Sequence, residues 1–494
     1  MSIINLSSQR ELFIDRYLID KFNGTFLKLH EPYPMEKSII IDKPWEGAGN
    51  AGNGVICLDG KYLMYYRALD PSDPNDMGKS CVAFSDDGIH WTKPALQPEG
   101  TNYVLTEDGQ FISGFLDTRP GVPKNERVKG FLAKTRSGIP HTVFNDPGGV
   151  KYLEFYSSED GLTFRRMDTQ PTLEVNMFNG LDGGNSMSWS EAEQQYVFYF
   201  RYSVIQPTDH GSFSMRRSVA RMTSKDFYNW STPEEMRCSR TPEQFYVNNT
   251  FPYHRAPQIY ISLAARFMER RRVLSDEQAQ ELPLVPEAAL EAQFAGTDPS
   301  NINAWLHAAL VGDCSDGVLL STRAGSAVYD RTFMEAYVRP GLGYSNWVTR
   351  TNYPFSGVFQ IDENTMSFYV WRDYMQTTWY VQRMALRTDG FASLSAPWDG
   401  GCAITKPFTY TGNILEINYR TSAAGYIRVE LTDEDGNILP GFAAQTCEEI
   451  IGDEISRQVR WASGYPLSRW ENKPVRLRFI MKDADIFSFR FFNT

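Results

Sequence analysis

The 494-residue sequence has few features of a redox, membrane or nucleic-acid-binding protein. Its six cysteines are scattered and form no Cys-x-x-Cys pair, which argues for free thiols and against a disulfide framework or a zinc site. No apolar run approaches the roughly 18 residues that suggest a transmembrane helix. No basic run occurs, and the formal net charge is −11. We therefore expect neither a nucleic-acid partner nor a membrane partner.

Targeting and cofactor signals are missing as well. The first ten residues are polar and lack the apolar segment of a secretory signal, which predicts a cytoplasmic protein, although a sequence trimmed of its signal would look the same. The sequence contains no P-loop, no Rossmann glycine pattern, no His-Glu-x-x-His run and no lipase elbow. We therefore predict no cofactor and no metal-ligand set, and leave a structural Ca²⁺ or Na⁺ ion as an alternative.

What the sequence does contain is a recurring turn. Residues 85–91 read Ser-Asp-Asp-Gly-Ile-His-Trp, residues 158–164 read Ser-Glu-Asp-Gly-Leu-Thr-Phe, and looser versions begin at residues 224, 321 and 387. Ser and Asp side chains cap such turns, and Gly supplies the left-handed backbone. The steps are 73, 66, 97 and 66 residues, and the long step contains a helix-like insertion. A fixed period of this size, with strand-rich repeats, predicts a radial β array.

The predicted fold class is therefore all-β. Residues 1–400 form a five-bladed β-propeller, and residues 401–494, with short strands of period two, form a C-terminal β-sandwich. Residues 269–310 are rich in Ala, Glu and Leu and predict a helical insertion in the fourth blade. This insertion is either a lid, a contact in a homo-oligomer, or a solvated excursion.

Several runs carry a family resemblance. Residues 13–19 (Phe-Ile-Asp-Arg-Tyr-Leu-Ile), 45–47 (Trp-Glu-Gly), 387–391 and 482–489 resemble bacterial proteins labelled as glycosyl hydrolases of the family 32 and 43 superfamily. The resemblance covers nearly the whole chain. It is a resemblance in the order of repeats and domains more than in the motifs that carry catalytic residues. The Trp-x-Asn-Asp-Pro-Asn-Gly run of family 32 is absent, and Leu-Asp-Thr-Arg-Pro at 116–120 is the nearest match to its Arg-Asp-Pro. The Glu-Cys pair is reversed at Cys447 and Glu448.

The resemblance implies hydrolysis of a glycosidic bond by two carboxylates. A propeller directs the first strand of each blade toward a central channel, so acids that precede those strands share one pocket. Three candidates follow: Glu46 before a glycine-rich loop, Asp117 beside Arg119, and Asp182 beside glycines at the entry to the third blade. For Asp117 and Asp182 the alternative is a turn-forming role. We expect these to form the catalytic acid set, with no roles assigned.

Other polar and aromatic residues near the same strand entries are candidates for substrate binding. Trp45 could stack on a sugar ring, while amides, cations and an acid could bond hydroxyl or carboxylate groups. These candidates are Trp45, Asn50, Asn53, Arg119, His254, Arg255, Asp316 and Arg323.

The sequence thus predicts a glycosidase with a carbohydrate as its partner. One alternative is a sialidase-like hydrolase of an anionic sugar, which needs a Tyr–Glu nucleophile pair and an arginine triad. The other is a carbohydrate-binding propeller without catalysis. The sequence specifies neither the sugar, the linkage, the stereochemical outcome nor the oligomeric state.

Overall fold

The structure is a computed structural model. It describes residues 3–47, 52–68, 78–106, 113–135, 151–171, 173–175, 181, 184–207, 213–240, 243–285 and 310–493. Within these residues nearly every regular element is a β-strand, and the helical elements are short: α1 (Asp276–Gln280) and two 3₁₀ turns at Lys124–Glu126 and Leu467–Trp470. The predicted all-β fold class is confirmed.

The chain begins with strands that serve two different units. These are β1 (Ile4–Ser7), β2 (Glu11–Leu12), β3 (Ile19–Asn23), β4 (Phe26–Leu29) and β5 (Tyr33–Ile40). The first four pair with strands near the C-terminus, and β5 joins the propeller.

The first three blades are antiparallel sheets whose first strand lies innermost. Blade 1 contains β6 (Gly52–Leu58), β7 (Lys61–Ala68), β8 (Lys79–Ser85) and β9 (Tyr103–Leu105). Blade 2 contains β10 (Ser113–Leu116), β11 (Val128–Thr135), β12 (Lys151–Ser158), β13 (Arg165–Arg166) and β14 (Glu174–Val175). Blade 3 contains β15 (Ser186–Ser190), β16 (Gln195–Pro207), β17 (Phe213–Ser224) and β18 (Glu234–Glu235).

The last two blades complete the ring of five. Blade 4 contains β20 (Phe245–Tyr253), β21 (Ala256–Met268) and β22 (Cys314–Arg323), and its periphery carries the parallel pair β19 (Arg237–Cys238) and β23 (Val328–Tyr329). Blade 5 contains β24 (Phe359–Gln360), β25 (Thr365–Arg372), β26 (Tyr380–Arg387) and, as its outermost strand, β5. An N-terminal strand therefore closes the propeller.

The predicted helical insertion is present among the described residues as the five-residue α1. Ser275 begins this helix with a capping box: its Oγ accepts the Gln278 N–H at 3.2 Å, and its own N–H donates to the Gln278 side chain at 3.0 Å. Residues 286–309 of the insertion lie outside the described residues.

The recurring turn has the same geometry in three blades. In blade 2, Ser158 Oγ donates to Asp160 Oδ1 at 3.0 Å and accepts the Gly161 N–H at 2.9 Å. Asp160 Oδ1 also accepts the N–H groups of the next two residues after Gly161, at 2.9 and 2.8 Å. Blade 1 repeats the pattern at Ser85 and Asp87, and blade 3 repeats it with Phe227 in the left-handed position that glycine occupies elsewhere. The sequence repeat is thus a repeat of turns that close the third strand of each blade.

These turns also join neighbouring blades. Tyr65 of blade 1 donates its hydroxyl to the Gly161 carbonyl of blade 2 at 2.8 Å, and Tyr369 of blade 5 donates to the Gly88 carbonyl of blade 1 at 2.6 Å. Both tyrosines are fully buried, so each hydrogen bond satisfies a polar group inside the packing between blades. The propeller core therefore consists of apolar layers between blades that these bonds hold in register.

The innermost strands run in the same direction around a central channel. Gly54 of β6 pairs in parallel with Ser356, just before β24, and Ser186 of β15 donates its hydroxyl to the Thr250 carbonyl of β20. We call the end where these strands begin the mouth and the other end the base. All five blades line a channel cavity of about 410 Å³, with Val55, Phe115, Ser188, Pro252 and Phe359 among its walls.

The C-terminal unit is a β-sandwich. Its strands are β27 (Ala392–Ala396), β28 (Gly401–Thr405), β29 (Phe408–Tyr410), β30 (Ile414–Asp433), β31 (Asp453–Gln458) and β32 (Val475–Phe492). The long strands β30 and β32 pair with each other, with a register shift between Thr421 and Tyr426. Strands β1 to β4 belong to this unit, whereas the sequence analysis assigns all of residues 1–400 to the propeller.

The sandwich contacts the base of blades 4 and 5 through a buried carboxylate. Asp389, fully buried, accepts hydrogen bonds from Tyr253 Oη at 2.6 Å, Arg255 Nε at 2.9 Å and Ser488 Oγ at 2.6 Å. Arg10 lies 3.5 Å from the same carboxylate. Burial alone would raise the pKa of Asp389, but Arg10 and Arg255 outweigh it and the net pKa is lowered. Asp389 therefore joins both units as an ion.

Replacing this carboxylate should loosen the junction. We expect Asp389→Ala to lower the free energy of unfolding by about 3–5 kcal/mol, because it removes the carboxylate shared by the buried Arg10 and the partly buried Arg255. Urea denaturation followed by tryptophan fluorescence would measure the change. Asp86→Ala, which alters an exposed carboxylate, is the control, and an equally small effect of both variants would contradict the assigned role.

The junction should also be sensitive to acid through His30. This ring lies 2.8 Å from Ser393 Oγ, which donates to Asp485, and burial lowers its pKa to about 4 despite the nearby Asp485 carboxylate. Because the unfolded chain binds a proton that the folded state rejects, stability should fall as the pH decreases from about 6.5 to 4, by at most about 1.4 kcal/mol per pH unit.

Unfolding midpoints measured between pH 7 and pH 4 would test this. His30→Gln should flatten the profile across this range, whereas the same change at the exposed His90 should not. Identical profiles for the His30 variant and the wild type would show that other groups control the acid response.

Candidate active site at the channel mouth

Glu46 lies at the mouth of the channel in a fully enclosed setting. Its side chain is 0% exposed. Oε1 accepts the Tyr66 hydroxyl at 2.6 Å, and Oε2 accepts the Lys93 ammonium at 2.7 Å together with the backbone N–H groups of Asp42 and Lys43. Both oxygens are thus saturated with donors, which is the environment of a carboxylate that holds a loop in place.

Trp45, beside Glu46, lies half-buried at the same end. Its indole N–H donates to Asn102 Oδ1 at 2.9 Å, and Asn102 in turn donates to the Tyr66 hydroxyl at 2.7 Å. The loop, the innermost hairpin and β9 are therefore connected by one polar network. Trp45 keeps part of its surface exposed, so its predicted stacking role stays a prediction.

The expected position of Asp117 was wrong. Phe115 and Leu116 belong to the innermost strand β10 itself, so Asp117 follows that strand and lies at the base. Asp117 is buried, and its Oδ2 accepts Lys129 Nζ at 2.6 Å and the Tyr196 hydroxyl at 2.7 Å. Arg119 lies beside it, 5.6 Å from the Tyr196 ring. The four residues of β10 are too few to show the alternation of a strand in the sequence.

His254 and Arg255 also lie at the base rather than the mouth. They form the turn between β20 and β21. They therefore follow the innermost strand of blade 4, which begins at Phe245, instead of preceding it. His254 lines the channel cavity from below, and burial lowers the pKa of its ring. The guanidinium of Arg255 is paired with Asp389 at the junction with the sandwich.

Arg323 serves the junction in the same way. It lies at the base end of β22, where it contacts Asp15 at 2.9 Å and Glu11 at 2.6 Å. These two carboxylates belong to the N-terminal segment that completes the sandwich. Arg323 therefore lies at the base, away from the mouth, and its predicted contact with a substrate stays a prediction.

Asp316 lies outside the channel. It forms a bidentate pair with Arg266, with distances of 2.8 and 2.5 Å, and it lines a second cavity of about 880 Å³ whose walls are blade 4 and the segment after it. Asp182 and Asn50 lie outside the described residues, as does the side chain of Asn53. The roles predicted for these three residues stay predictions.

The sequence analysis missed an aromatic and cationic cluster at the mouth. Tyr246, at the start of β20, has three guanidinium carbons near its ring centroid: Arg201 at 4.7 Å, Arg217 at 5.1 Å and Arg350 at 6.0 Å. We call these three arginines the arginine wall. Arg201 and Arg350 are 149 residues apart in the sequence, so no local motif contains the three arginines.

Asp313 lies close to this wall, just before β22. Its Oδ1 accepts the Arg270 N–H at 2.7 Å. Burial raises the pKa of its carboxyl, and Glu269 adds to the rise, while Arg217 and Arg350 partly oppose it. Asp313 is thus a partly buried carboxyl with a raised pKa next to cations at the mouth, and this combination is a typical feature of a functional site.

A metal-centred site has no support among the described residues. In that part of the chain, no group of three or more His, Cys, Asp or Glu side chains is arranged to hold a metal ion. No helix in the described ranges is both long and apolar enough to span a membrane.

Comparisons with known proteins give structural similarity without sequence similarity. No protein-family model matches the chain, and no curated protein matches it at a significant level. A glycoside hydrolase structure is 11% identical, with a TM-score of 0.45, over 73% of this chain and 92% of that one. An exo-inulinase from Aspergillus awamori is 12% identical, with a TM-score of 0.39, over 93% of this chain and 98% of that one.

A third structure, the Bombyx mori β-fructofuranosidase in complex with sucrose, is 11% identical, with a TM-score of 0.37, over 91% of this chain and 93% of that one. Similarity at this level carries no argument about the reaction or the substrate of this chain. The strand order of this chain itself gives a ring of five blades with a C-terminal sandwich.

The enclosure of Glu46 leads to a test of its structural role. We expect Glu46→Gln to destabilise the protein by about 1–3 kcal/mol, because Lys93 loses its buried counter-ion while the shape of the side chain is kept. Thermal or urea unfolding would measure this. Asp42→Asn, which alters the exposed partner of the same lysine, should cost much less, and a Glu46→Gln variant of wild-type stability would argue against this role.

Proposed function

We propose that the protein is a glycoside hydrolase that binds its substrate at the mouth of the propeller channel. The reaction class comes from the resemblance of the sequence to propeller glycosidases. The observation that carries the location is Asp313, a half-buried carboxyl with a raised pKa beside the arginine wall at the mouth. The base, by contrast, is covered by the sandwich near blades 4 and 5.

The acid set proposed for the reaction changes accordingly. Asp117 lies at the base, and Glu46 has both oxygens saturated, so neither is suited to contact a substrate at the mouth. We propose Asp313 as the general acid, because it lies at the mouth beside the arginine wall, accepts a backbone N–H at Oδ1 and has a pKa that burial raises. Asp182 remains the proposed partner carboxylate, from its place between glycines before β15.

In the proposed reaction, Asp313 donates its proton to the glycosidic oxygen as the bond from that oxygen to the anomeric carbon breaks. The leaving alcohol departs with this proton. With inversion, the second carboxylate takes a proton from the water molecule that attacks the anomeric carbon. With retention, the second carboxylate first forms a covalent sugar ester, and the water molecule that breaks this ester gives its proton to the Asp313 carboxylate. The separation of the two carboxylates decides between inversion and retention.

The sialidase-like alternative receives mixed support. A Tyr–Glu pair exists at the mouth, Tyr66 with Glu46, at 2.6 Å. However, Tyr66 is only 1% exposed, and burial, reinforced by Cys81 and Glu46, raises the pKa of its hydroxyl well above the usual value. A buried phenol that is hard to ionise is a poor nucleophile, so we do not assign this pair a covalent role.

A binding propeller without catalysis is the second candidate function. It is favoured by the fact that two of the three acids expected from the sequence are saturated by buried partners. This candidate predicts carbohydrate binding that is unaffected by Asp182 and Asp313.

Substitution of the two acids distinguishes these functions. On a panel of aryl glycosides, Asp313→Asn and Asp182→Asn should each reduce kcat/KM by about 10²–10⁴-fold. For Asp313, the loss should be greater with poor leaving groups than with dinitrophenol, because an activated leaving group needs no protonation.

The matched control is Asp87→Asn, which alters an exposed turn carboxylate at the base. Hydrolysis that persists unchanged in both mouth variants would overturn the assignment of the acids. A complete lack of hydrolysis in the wild type, together with sugar binding, would favour the binding propeller.

A further inference from the structure

We infer that the second cavity, of about 880 Å³, binds the leaving-group part of the substrate, and that this part is a neutral carbohydrate of more than one sugar unit. The inference rests on the proposed function and adds a second binding region to the same site.

The cavity lies at the mouth end of blade 4. Its walls include Gln244, which precedes β20, Met268, which ends β21, and Cys314, which begins β22. These three strand ends lie on one face, because β20 begins at the mouth and the strands of the blade are antiparallel. The other wall is formed by residues of the segment 336–347, which leads to blade 5.

Asp313 stands between this cavity and the arginine wall. It directly precedes Cys314, and its Oδ1 accepts the N–H of Arg270, the residue after Glu269. Cys314 and Glu269 both line the cavity, while the charge of Arg217 acts on the same carboxyl from the other side. A general acid protonates the oxygen between two sugar units, so the unit that leaves has to lie beyond it.

Two side chains belong to both regions. Gln244 accepts a hydrogen bond from Arg217 at 2.9 Å and donates one to Glu269 at 3.2 Å. Phe267 lies 4.7 Å from the guanidinium carbon of Arg217 and also lines the cavity. The cavity and the arginine wall are therefore adjacent, and a chain of sugars that passes Asp313 can contact both.

The charges around the cavity are balanced, which favours a neutral ligand. Its lining contains three acids and three arginines: Glu243, Glu269, Asp316, Arg266, Arg271 and Arg339. Arg266 is paired with Asp316 at 2.5 Å and with Glu243 at 3.0 Å. A lining without an excess of either sign does not attract an anion or a cation, while its carboxylate and guanidinium groups can still exchange hydrogen bonds with hydroxyl groups.

The same cavity has apolar walls. Trp347 is half-buried there, and its N–H donates to the Gly341 carbonyl at 3.2 Å, which fixes the ring. Leu342 is fully exposed at the edge, between Gly341 and Gly343, whose positive φ angles of 91° and 79° hold the turn. Sugar rings have apolar C–H faces and polar edges, and such walls can cover the faces.

The size of the cavity fits a chain of sugars. Its volume of about 880 Å³ compares with about 410 Å³ for the channel cavity. It lies near the upper end of the roughly 300–1,000 Å³ that ligand pockets occupy, which gives room for more than one sugar ring.

Calorimetry with sugars tests the inference without requiring catalysis. Thio-linked trisaccharides of glucose, galactose, mannose, xylose and fructose, whose sulfur bridges resist hydrolysis, are titrated into the protein beside the five monosaccharides. We expect at least one trisaccharide to bind about ten-fold or more tightly than its monosaccharide, because only the longer sugar reaches the cavity.

Variants of the apolar walls then assign the site. Trp347→Ala should weaken binding of that trisaccharide by about ten-fold or more, because it removes the ring that a sugar face covers. Leu342→Ser should weaken it by about 3–10-fold, and it decides the question if Trp347→Ala does not fold, since a fully exposed side chain contributes little to folding. Trp398→Ala is the control, because this exposed tryptophan of the sandwich contacts Lys482, far from the cavity in the fold, and it should bind as the wild type does.

Trisaccharides that bind no more tightly than monosaccharides would overturn the inference, and so would cavity variants with wild-type affinity. Tighter binding of trigalacturonate than of the galactose trisaccharide would overturn the neutral class. A nitrophenyl monoglycoside that binds as tightly as the trisaccharide, and is weakened by Trp347→Ala, would replace the sugar chain by an aryl group.

The inference and the proposed function fail separately. Selective trisaccharide binding that is lost in the cavity variants would uphold the cavity as a sugar site even if no glycoside were hydrolysed. Hydrolysis of aryl glycosides by a protein that shows no preference for trisaccharides would uphold the proposed function and overturn the inference.

Discussion

The pairing of β5 with β26 is the constraint on which the rest of the molecule depends. Tyr33 pairs with Ala385 and Ile40 with Tyr380, so the outermost strand of the last blade comes from the N-terminal part of the chain. A ring closed in this way has no free gap between its first and last blades. From Ile40 the chain must cross to the innermost strand of blade 1, and this crossing carries Trp45 and Glu46 to the mouth.

The same constraint separates the two faces of the propeller. Strands β1 to β4 belong to the sandwich on the base side, where Arg10, Glu11 and Asp15 meet Arg255, Arg323 and Asp389. The turns that end the third strands also lie at the base. The base is therefore used for folding and for holding the sandwich. At the mouth, Arg217 donates to the neutral amide oxygen of Gln244, and no carboxylate of the described residues lies within ion-pair distance of it.

Much of the architecture could be predicted from the sequence, because its signals are local. The Ser-Asp turns predicted a repeat, and the count of repeats predicted five blades. The inner strands of blades 2 and 4 could not be placed in the same way. Ser113–Leu116 is too short to show a period, and Phe245–Tyr253 contains Asn248, Asn249 and Thr250, which resemble a loop until their partners across the channel wall are known.

These two omissions explain the errors in the site. If the innermost strand of a blade is not recognised in the sequence, the second strand is mistaken for the first. A residue in the turn between these two strands lies at the base, but it is then assigned to the mouth. Asp117, His254 and Arg255 were misplaced in this way. The arginine wall could not be found at all, since its members come from distant segments and meet only around the ring of Tyr246.

Buried carboxylates in this fold divide into two kinds. Glu46, Asp117 and Asp389 each accept several charge-assisted or hydroxyl donors, and these bonds offset the cost of burying an ion. Asp313, which is only half-buried, accepts one backbone N–H from the described residues and has a raised pKa. An acid that is already fully bonded has no lone pair to offer a substrate, so chemistry at the mouth has to depend on carboxyl groups that the fold leaves incompletely satisfied. Asp313 meets this requirement on the side of the mouth that carries the arginine wall. A partner carboxylate has to lie opposite Asp313, across the opening of the channel.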